Sequence, residues 1–210
     1  MKRYGVAVVL LGLGAIVSVS VSRADELSIY DVQFTTDPFG DSPYDGQTHD
    51  VVEGIVTGLW LEGGAPRVYL QAEGYSTWGG VVVKDLTYTG ALATAVAIGD
   101  QVDLFEVYIE EGSRGNTTLL YEQDSAHFVN SSGNQVPQPI IVPVSEIPAP
   151  VEDSAGDWYV VDHDAERYEG MRIIVRDVTV TARSLGSHSD NYNLQTPGLD
   201  DCWAADYMNK

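Results

Sequence analysis

Apolar residues alternate with polar ones in six separate runs, and this two-residue period constrains the fold more than any other feature of the chain. The runs are Val51 to Leu61, Arg67 to Gln71, Gly79 to Lys84, Gln101 to Ile109, Thr117 to Tyr121 and Met171 to Thr181, all rich in Val, Ile, Thr and Tyr. Successive side chains of an extended strand point to opposite faces, so each run carries one apolar face that must be buried against other strands. Turn-forming pairs separate the runs at Asp45-Gly46, Gly63-Gly64-Ala65-Pro66, Gly99-Asp100 and Gly112-Ser113-Arg114-Gly115. The expectation is an all-β chain with one helical turn over Thr89 to Val96. An apolar fraction of 44% over 210 residues is enough for a globular core in one or two domains.

A second regularity is a gapless internal repeat at an offset of 124 residues. Between Tyr44 and Gly74 the identities pair Tyr44 with Tyr168, Gly46 with Gly170, Val51 with Val175, Val56 with Val180, Thr57 with Thr181, Leu61 with Leu185, Leu70 with Leu194, Gln71 with Gln195 and Gly74 with Gly198. About two such matches are expected by chance at ordinary composition. Duplication is the expectation. Lys210 then corresponds to Leu86, so the second copy lacks partners for the Gln101 to Tyr121 strands. Either the chain is a fragment of a longer protein, or the second unit has unpaired edges that favour self-association.

The chain opens on Met1-Lys2-Arg3, an apolar run from Val6 to Val19, and Ser22-Arg23-Ala24. That is the pattern of a signal peptide cleaved after Ala24. The run is shorter than the ~20 apolar residues that span a bilayer, and no cysteine follows it closely for lipid attachment. A secreted location, whether extracellular, periplasmic or cell-surface, and no membrane contact after cleavage are expected. Cleavage leaves 8 basic residues against 31 acidic ones, a formal charge of −23. Such a field favours solubility and repels phosphate backbones and anionic membranes. Cys202 is the only cysteine, so no intrachain disulfide forms.

Several pieces, in order, resemble the OB-fold modules that precede the catalytic domain in secreted bacterial nucleases of the endonuclease/exonuclease/phosphatase class. They are Ser42-Pro43-Tyr44-Asp45-Gly46-Gln47, Val52-Glu53-Gly54-Ile55-Val56-Thr57, Val68-Tyr69-Leu70-Gln71, Val96-Ala97-Ile98-Gly99-Asp100-Gln101-Val102, and Glu110-Glu111 with Thr118-Leu119. Pro137-Gln138-Pro139 and the restart from Ala165 to Met171 resemble the junction to a following module. The resemblance implies a five-stranded Greek-key barrel with a ligand face on its second and third strands. It carries no nuclease activity, because the nuclease domain has no counterpart here, and Ala72-Glu73-Gly74 replaces the family's aromatic-rich strand ending. The expected organisation is a signal peptide (1–24), an OB-like barrel (25–130), a Pro-rich connector (131–164) holding five of the nine prolines, and a partial second OB-like repeat (165–210).

The chain has no G-x-S-x-G elbow, no H-E-x-x-H, no phosphate loop ending in Gly-Lys and no C-x-x-C. These absences disfavour an enzyme, and no cofactor is expected. His49, His127, His163 and His188 lie in separate segments with no shared spacing. Asp162-His163-Asp164 groups three potential ligands, but neighbours on an extended chain face opposite ways and do not share one ion. Glu110-Glu111 alternates in the same way and is not read as an acid/base couple. Asp37, Asp41 and Asp45 offer oxygen ligands to calcium without the spacing of a calcium loop, so turn and capping roles are expected of them.

In the run from Arg67 to Gln71, Val68 and Leu70 would point into the core while Arg67, Tyr69 and Gln71 share the other side. Lys84 on the next strand and Trp78 before it would join them as ligand-binding residues. A Tyr and an Arg on one barrel face suit stacking against bases or sugars, although Tyr69 would equally cover a barrel edge. From Tyr44 to Asp124 there are 3 basic residues against 13 acidic ones, a poor track for a nucleic-acid backbone. Trp203 aligns with Gly79 in the gapless repeat and would be a core anchor. Three readings follow: a secreted non-catalytic module that binds a ligand such as a polysaccharide or single-stranded nucleic acid, or another domain; the accessory amino-terminal region of an extracellular nuclease; or a cell-surface repeat spacer.

Overall fold

The computed structural model describes residues 26–37, 40–61, 64–112, 116–149, 151–152, 158–159, 163–183, 191–198 and 200–205. The segment 1–24, expected to be a signal peptide, and Asp162, Leu185 and His188 lie outside the described residues. In chain order the elements are β1 (Glu26–Ser28), α1 (Ile29–Gln33), β2 (Thr48–Trp60), β3 (Arg67–Gln71), β4 (Gly80–Asp85), α2 (Ala91–Ala95), β5 (Gln101–Glu111), β6 (Thr117–Tyr121) and β7 (Ala126–Ser131). After them come β8 (Ile140–Ile141), a 3₁₀ turn (Val144–Glu146), β9 (Val151–Glu152), β10 (Trp158–Tyr159) and a 3₁₀ helix (His163–Tyr168). The last are β11 (Ile173–Ile174), β12 (Thr179–Arg183), β13 (Asn191–Gln195) and β14 (Asp201–Ala205).

Five strands close into a barrel in the order β2-β3-β4-β6-β5, with β5 returning to β2. β4 and β6 run parallel, the other neighbouring pairs are antiparallel, and α2 lies between β4 and β5. This connectivity is the OB fold, a Greek-key barrel, as the resemblance implied; the alternating runs alone announced an all-β chain. β2 makes closure possible: its first part pairs with β5 and its last part with β3, and the ladder shifts register near Glu53, which stands at φ +63°. β5 has a matching irregularity. Val102 and Leu104 point inward, then Val107 and Ile109, so the alternation slips by one residue around Glu106 at φ +54°. The N–H of each left-handed residue is held across the ladder by an aspartate, Glu53 by Asp103 (2.8 Å) and Glu106 by Asp50 (3.0 Å).

The inward residues form one core: Val51, Val56, Val68, Leu70, Val81, Val83, Val102, Leu104, Val107, Ile109 and Leu119. Leu92 of α2 joins that core, as do Ile29 and Val32 of α1. α2 falls within the expected helical turn. α1 was not expected, although its capping box, Ser28 with Asp31 three residues on, is legible in the sequence. β1 pairs in parallel with β2, and β7 pairs with β5 outside the barrel.

The Pro-rich connector packs rather than hanging free. Val142 and Val144 are buried, β8 pairs in parallel with β11, and the Ala149 N–H reaches the Asp201 carbonyl at 2.9 Å. The run from Met171 to Thr181 is not one strand, because Asp177 at φ +55° separates β11 from β12. β12, β13 and β14 form a three-stranded antiparallel meander.

This meander repeats local geometry of the barrel at the 124-residue offset. Thr179 pairs with Gln195 as Ile55 does with Gln71, and the register irregularity at Val180/Ala182 falls where Val56/Gly58 has it. Asp177 matches Glu53 in its positive φ, and Gly170 matches Gly46. The correspondence slips after Gly74. Gln195 pairs with Asp201 whereas Gln71 pairs with Gly80, so the second turn is shorter by three residues. Trp203 therefore sits opposite Asn193, where Val82 sits opposite Tyr69, and not at the place of Gly79. Among the described residues there is no closed second barrel.

Candidate functional site

The outer face of the barrel wall follows from strand register. Val81 and Val83 point inward, so Val82 and Lys84 point outward. One row across the wall runs Trp60, Arg67, Lys84, and the next runs Tyr69, Val82, Thr118, Glu110. Together they floor a groove of about 610 Å³ lined by Arg67, Tyr69, Val82, Lys84, Thr118 and, at its far side, Glu110, Glu111, Gly112, Asn116 and Glu169. Gly112 and Asn116, flanking β5 and β6, stand at that rim, joined by the bond from the Gly112 N–H to the Asn116 carbonyl (2.9 Å). This is the surface on which OB barrels carry ligands.

The two ends of the groove differ in charge. At one end the Arg67 guanidinium carbon sits 4.5 Å from the centre of the Trp60 ring, a cation–π contact that fixes the side chain beside Lys84. At the other end Glu110, Glu111 and Glu169 line the groove, and Glu166 stands within charge range of Glu111 and Glu169. Glu111 accepts from the Thr117 hydroxyl (2.9 Å) and the Ser42 N–H (3.2 Å), and burial raises its pKa. Glu169 accepts from the Thr117 N–H (3.0 Å) and the Gln33 side-chain amide (3.5 Å). Burial, with Glu166 and Glu111 nearby, pushes Glu169 up to about 8. Glu166, on the 3₁₀ helix, is pushed up to about 7 by burial and by the charges of Glu111 and Asp41.

Of the five residues expected to contact ligand, the structure brings Arg67, Tyr69 and Lys84 together in the groove. Gln71 shares their face but is 1% exposed, covered by the segment after the 3₁₀ helix. Its side-chain oxygen accepts the Arg172 N–H at 3.1 Å. Trp78 is not brought to them. It stands at φ +60° in the β3–β4 loop, donates its N–H to the Arg167 carbonyl (2.6 Å), and meets Phe34 edge-on at 6.0 Å between ring centres. Phe34, Tyr30 and Tyr75 form a stack there, at 5.1 and 5.2 Å. Trp60 and the glutamates on the 3₁₀ segment were missed. Trp60 closes an alternating run beside Arg67 and was legible as its cross-strand neighbour; the glutamates gave no signal, because only the fold brings them to Glu111.

Asp45 accepts the Glu111 N–H (2.7 Å), a backbone-capping role of the kind expected of that loop. Among the described residues, no three His, Cys, Asp or Glu side chains are arranged to hold a metal ion. No helix among them is long and apolar enough to cross a membrane. Chemically the groove offers charged donors at one end, carboxyl acceptors at the other and a half-buried phenol ring between them.

No family model and no curated protein matches the chain. Among solved structures it is similar to an OB domain from Methanosarcina mazei, 17% identical with a TM-score of 0.35, over 44% of this chain and 80% of that one. It is also similar to Pot1pC of Schizosaccharomyces pombe bound to single-stranded DNA, 12% identical with a TM-score of 0.36, over 49% and 85%. A third similarity is to an OB domain from Thermoplasma acidophilum, 14% identical with a TM-score of 0.32, over 54% and 94%.

Proposed function

We propose that the chain is an OB-type binding module that holds a hydroxyl-rich oligosaccharide segment in the groove across β3, β4 and β6. The observation that carries this reading is the meeting of Arg67, Lys84 and Tyr69 with Glu110, Glu111 and Glu169 on one concave surface. Sugar hydroxyls both donate and accept, so they satisfy a groove with cations at one end and carboxyls at the other. Tyr69 supplies a ring face for stacking. A nucleic-acid strand would gain two cationic contacts and face three carboxyls, in a chain of net charge −20. Export by the 1–24 segment and a second repeat over 165–210 belong to the same reading. They are supported by the signal-peptide pattern and by the register shared at the 124-residue offset.

Affinity electrophoresis through gels containing neutral polysaccharides, with and without calcium, tests it against single-stranded oligonucleotides in solution. Retardation by a polysaccharide is expected, with little dependence on salt. Tyr69→Ala is expected to weaken binding about tenfold, the loss of about 1.4 kcal/mol of stacking. Oligonucleotide binding that weakens steeply with salt, without polysaccharide binding, would reverse the ligand assignment. Unchanged binding in Tyr69→Ala would move the site off the groove.

A further inference from the structure

The segment from His163 to Arg172 lies against the barrel through hydrogen bonds and close backbone packing. The Arg167 carbonyl takes the Trp78 N–H (2.6 Å), the Arg172 N–H reaches Gln71 (3.1 Å), and Thr117 donates to Glu169 (3.0 Å). The backbones of Gly80 and Gly170 touch directly, leaving no room for a Cβ on either, and the Glu166 side chain lies over Gly40. At the centre of this contact the segment sets two glutamates beside a third. Glu166 and Glu169 are half-buried, and Glu111 faces both from β5.

We propose that this segment is a proton-dependent latch, lying on the barrel while Glu166 and Glu169 carry protons and lifting away when both ionise beside Glu111 and Asp41. Its release would uncover Gln71 and open the acidic end of the groove. The effect on ligand access rests on the function proposed above, whereas the docking equilibrium does not.

The groups facing the pair set the sign. From the loop before β2 come Asp41, which raises Glu166 directly, and Asp45, which acts on Glu111; Glu110 and Glu111 come from β5. The cations across the groove are Arg67, held over Trp60, and Lys84. On the segment itself stand Asp164, Arg167 and Tyr168. Arg167 is paired with Glu146 at 2.9 Å, and Tyr168 donates to the same carboxylate. Docked, Glu166 and Glu169 titrate at about 7 and about 8; released into water they return toward the ordinary 4.5. The docked state therefore binds the extra protons. Docking is fully favoured below about 4.5 and weakens as pH rises through 7 and 8.

Pulsed amide hydrogen exchange on the full chain, corrected for the intrinsic pH dependence of exchange, reads the latch at Trp78, Thr117 and Arg172. Protection at these amides is expected to fall at least tenfold between about pH 5.5 and 9, while core amides such as Leu70 and Val83 change little. In Glu166→Gln/Glu169→Gln the loss should shrink to within about twofold. Equal protection at both pH values in the natural chain, or the same loss in the double variant, would overturn the latch. If the double variant does not fold, carboxyl carbon-13 titration of the natural chain decides. Midpoints raised above 4.5 that coincide with the loss of protection at Trp78, Thr117 and Arg172 support the latch, and midpoints near 4.5, or raised midpoints without that loss, overturn it. A latch that titrates as expected in a chain that binds no polysaccharide would count against the ligand assignment alone.

Discussion

Asp85→Ala is expected to destabilise the barrel by about 3–5 kcal/mol, read as a lower urea midpoint with an unchanged slope. Asp85 is 1% exposed, and its two carboxyl oxygens accept four hydrogen bonds. One takes the Thr87 N–H (3.0 Å) and hydroxyl (2.5 Å); the other takes the N–H groups of Leu92 (2.8 Å) and Ala93 (3.0 Å). Those amides open α2, whose own cap residue, Gly90, has no side chain to satisfy them. α2 inserts Leu92, fully buried, into the core. Removing the carboxylate strands the buried amides and loosens the plug together. Asp85→Asn keeps one strong acceptor oxygen and should lose about half as much. An Asp85→Ala midpoint within experimental error of the natural chain would show that α2 is held by packing alone.

The contrast between Asp85 and its neighbours shows where sequence reading stops. Val81 and Val83 announce their inward direction by alternation, and β3, β5 and β6 begin where the alternating runs do. The alternating run ended at Lys84 and assigned Asp85 no role; its work is done across a loop, on amides seven and eight residues later. Arg67, Tyr69 and Lys84 were legible as a group because strand pairing places them with local rules only. Gln71 obeyed the same rules and faces the same way, yet it is covered by a segment a hundred residues downstream. Trp78 was placed by proximity in sequence, and its positive φ turns it toward Phe34 instead. Through Gly74 the sequence correspondence at the 124-residue offset agrees with ladder register, because β12 and β13 pair as β2 and β3 do. It misplaced Trp203 because a turn three residues shorter leaves no trace in an ungapped comparison.

Gly80→Ala is expected to expel the latch segment at every pH while leaving the barrel closed. Gly80 begins β4 with its missing side chain on the outer face, since Val81 beside it is fully buried inside. A methyl there would meet the Gly170 carbonyl carbon, the Met171 nitrogen and the Glu169 carbonyl oxygen, all backbone atoms that no rotamer change can move. Overpacking typically costs about 1–3 kcal/mol; a methyl 2.4–2.6 Å from three backbone atoms exceeds that range, and here the segment can escape it by leaving. Protection at Trp78, Thr117 and Arg172 should then be low at about pH 5.5 and 9 alike, which makes this variant a pH-independent reference for the released state. Gly170→Ala should do at least as much. Its added methyl would meet the backbone of Gly80 and Val81, and its φ of +64° disfavours any side chain by about a further 1 kcal/mol. Retained protection at acidic pH in both variants would mean that the two backbones do not lie against each other. The segment's glutamates would then have no reason to titrate away from ordinary carboxyls.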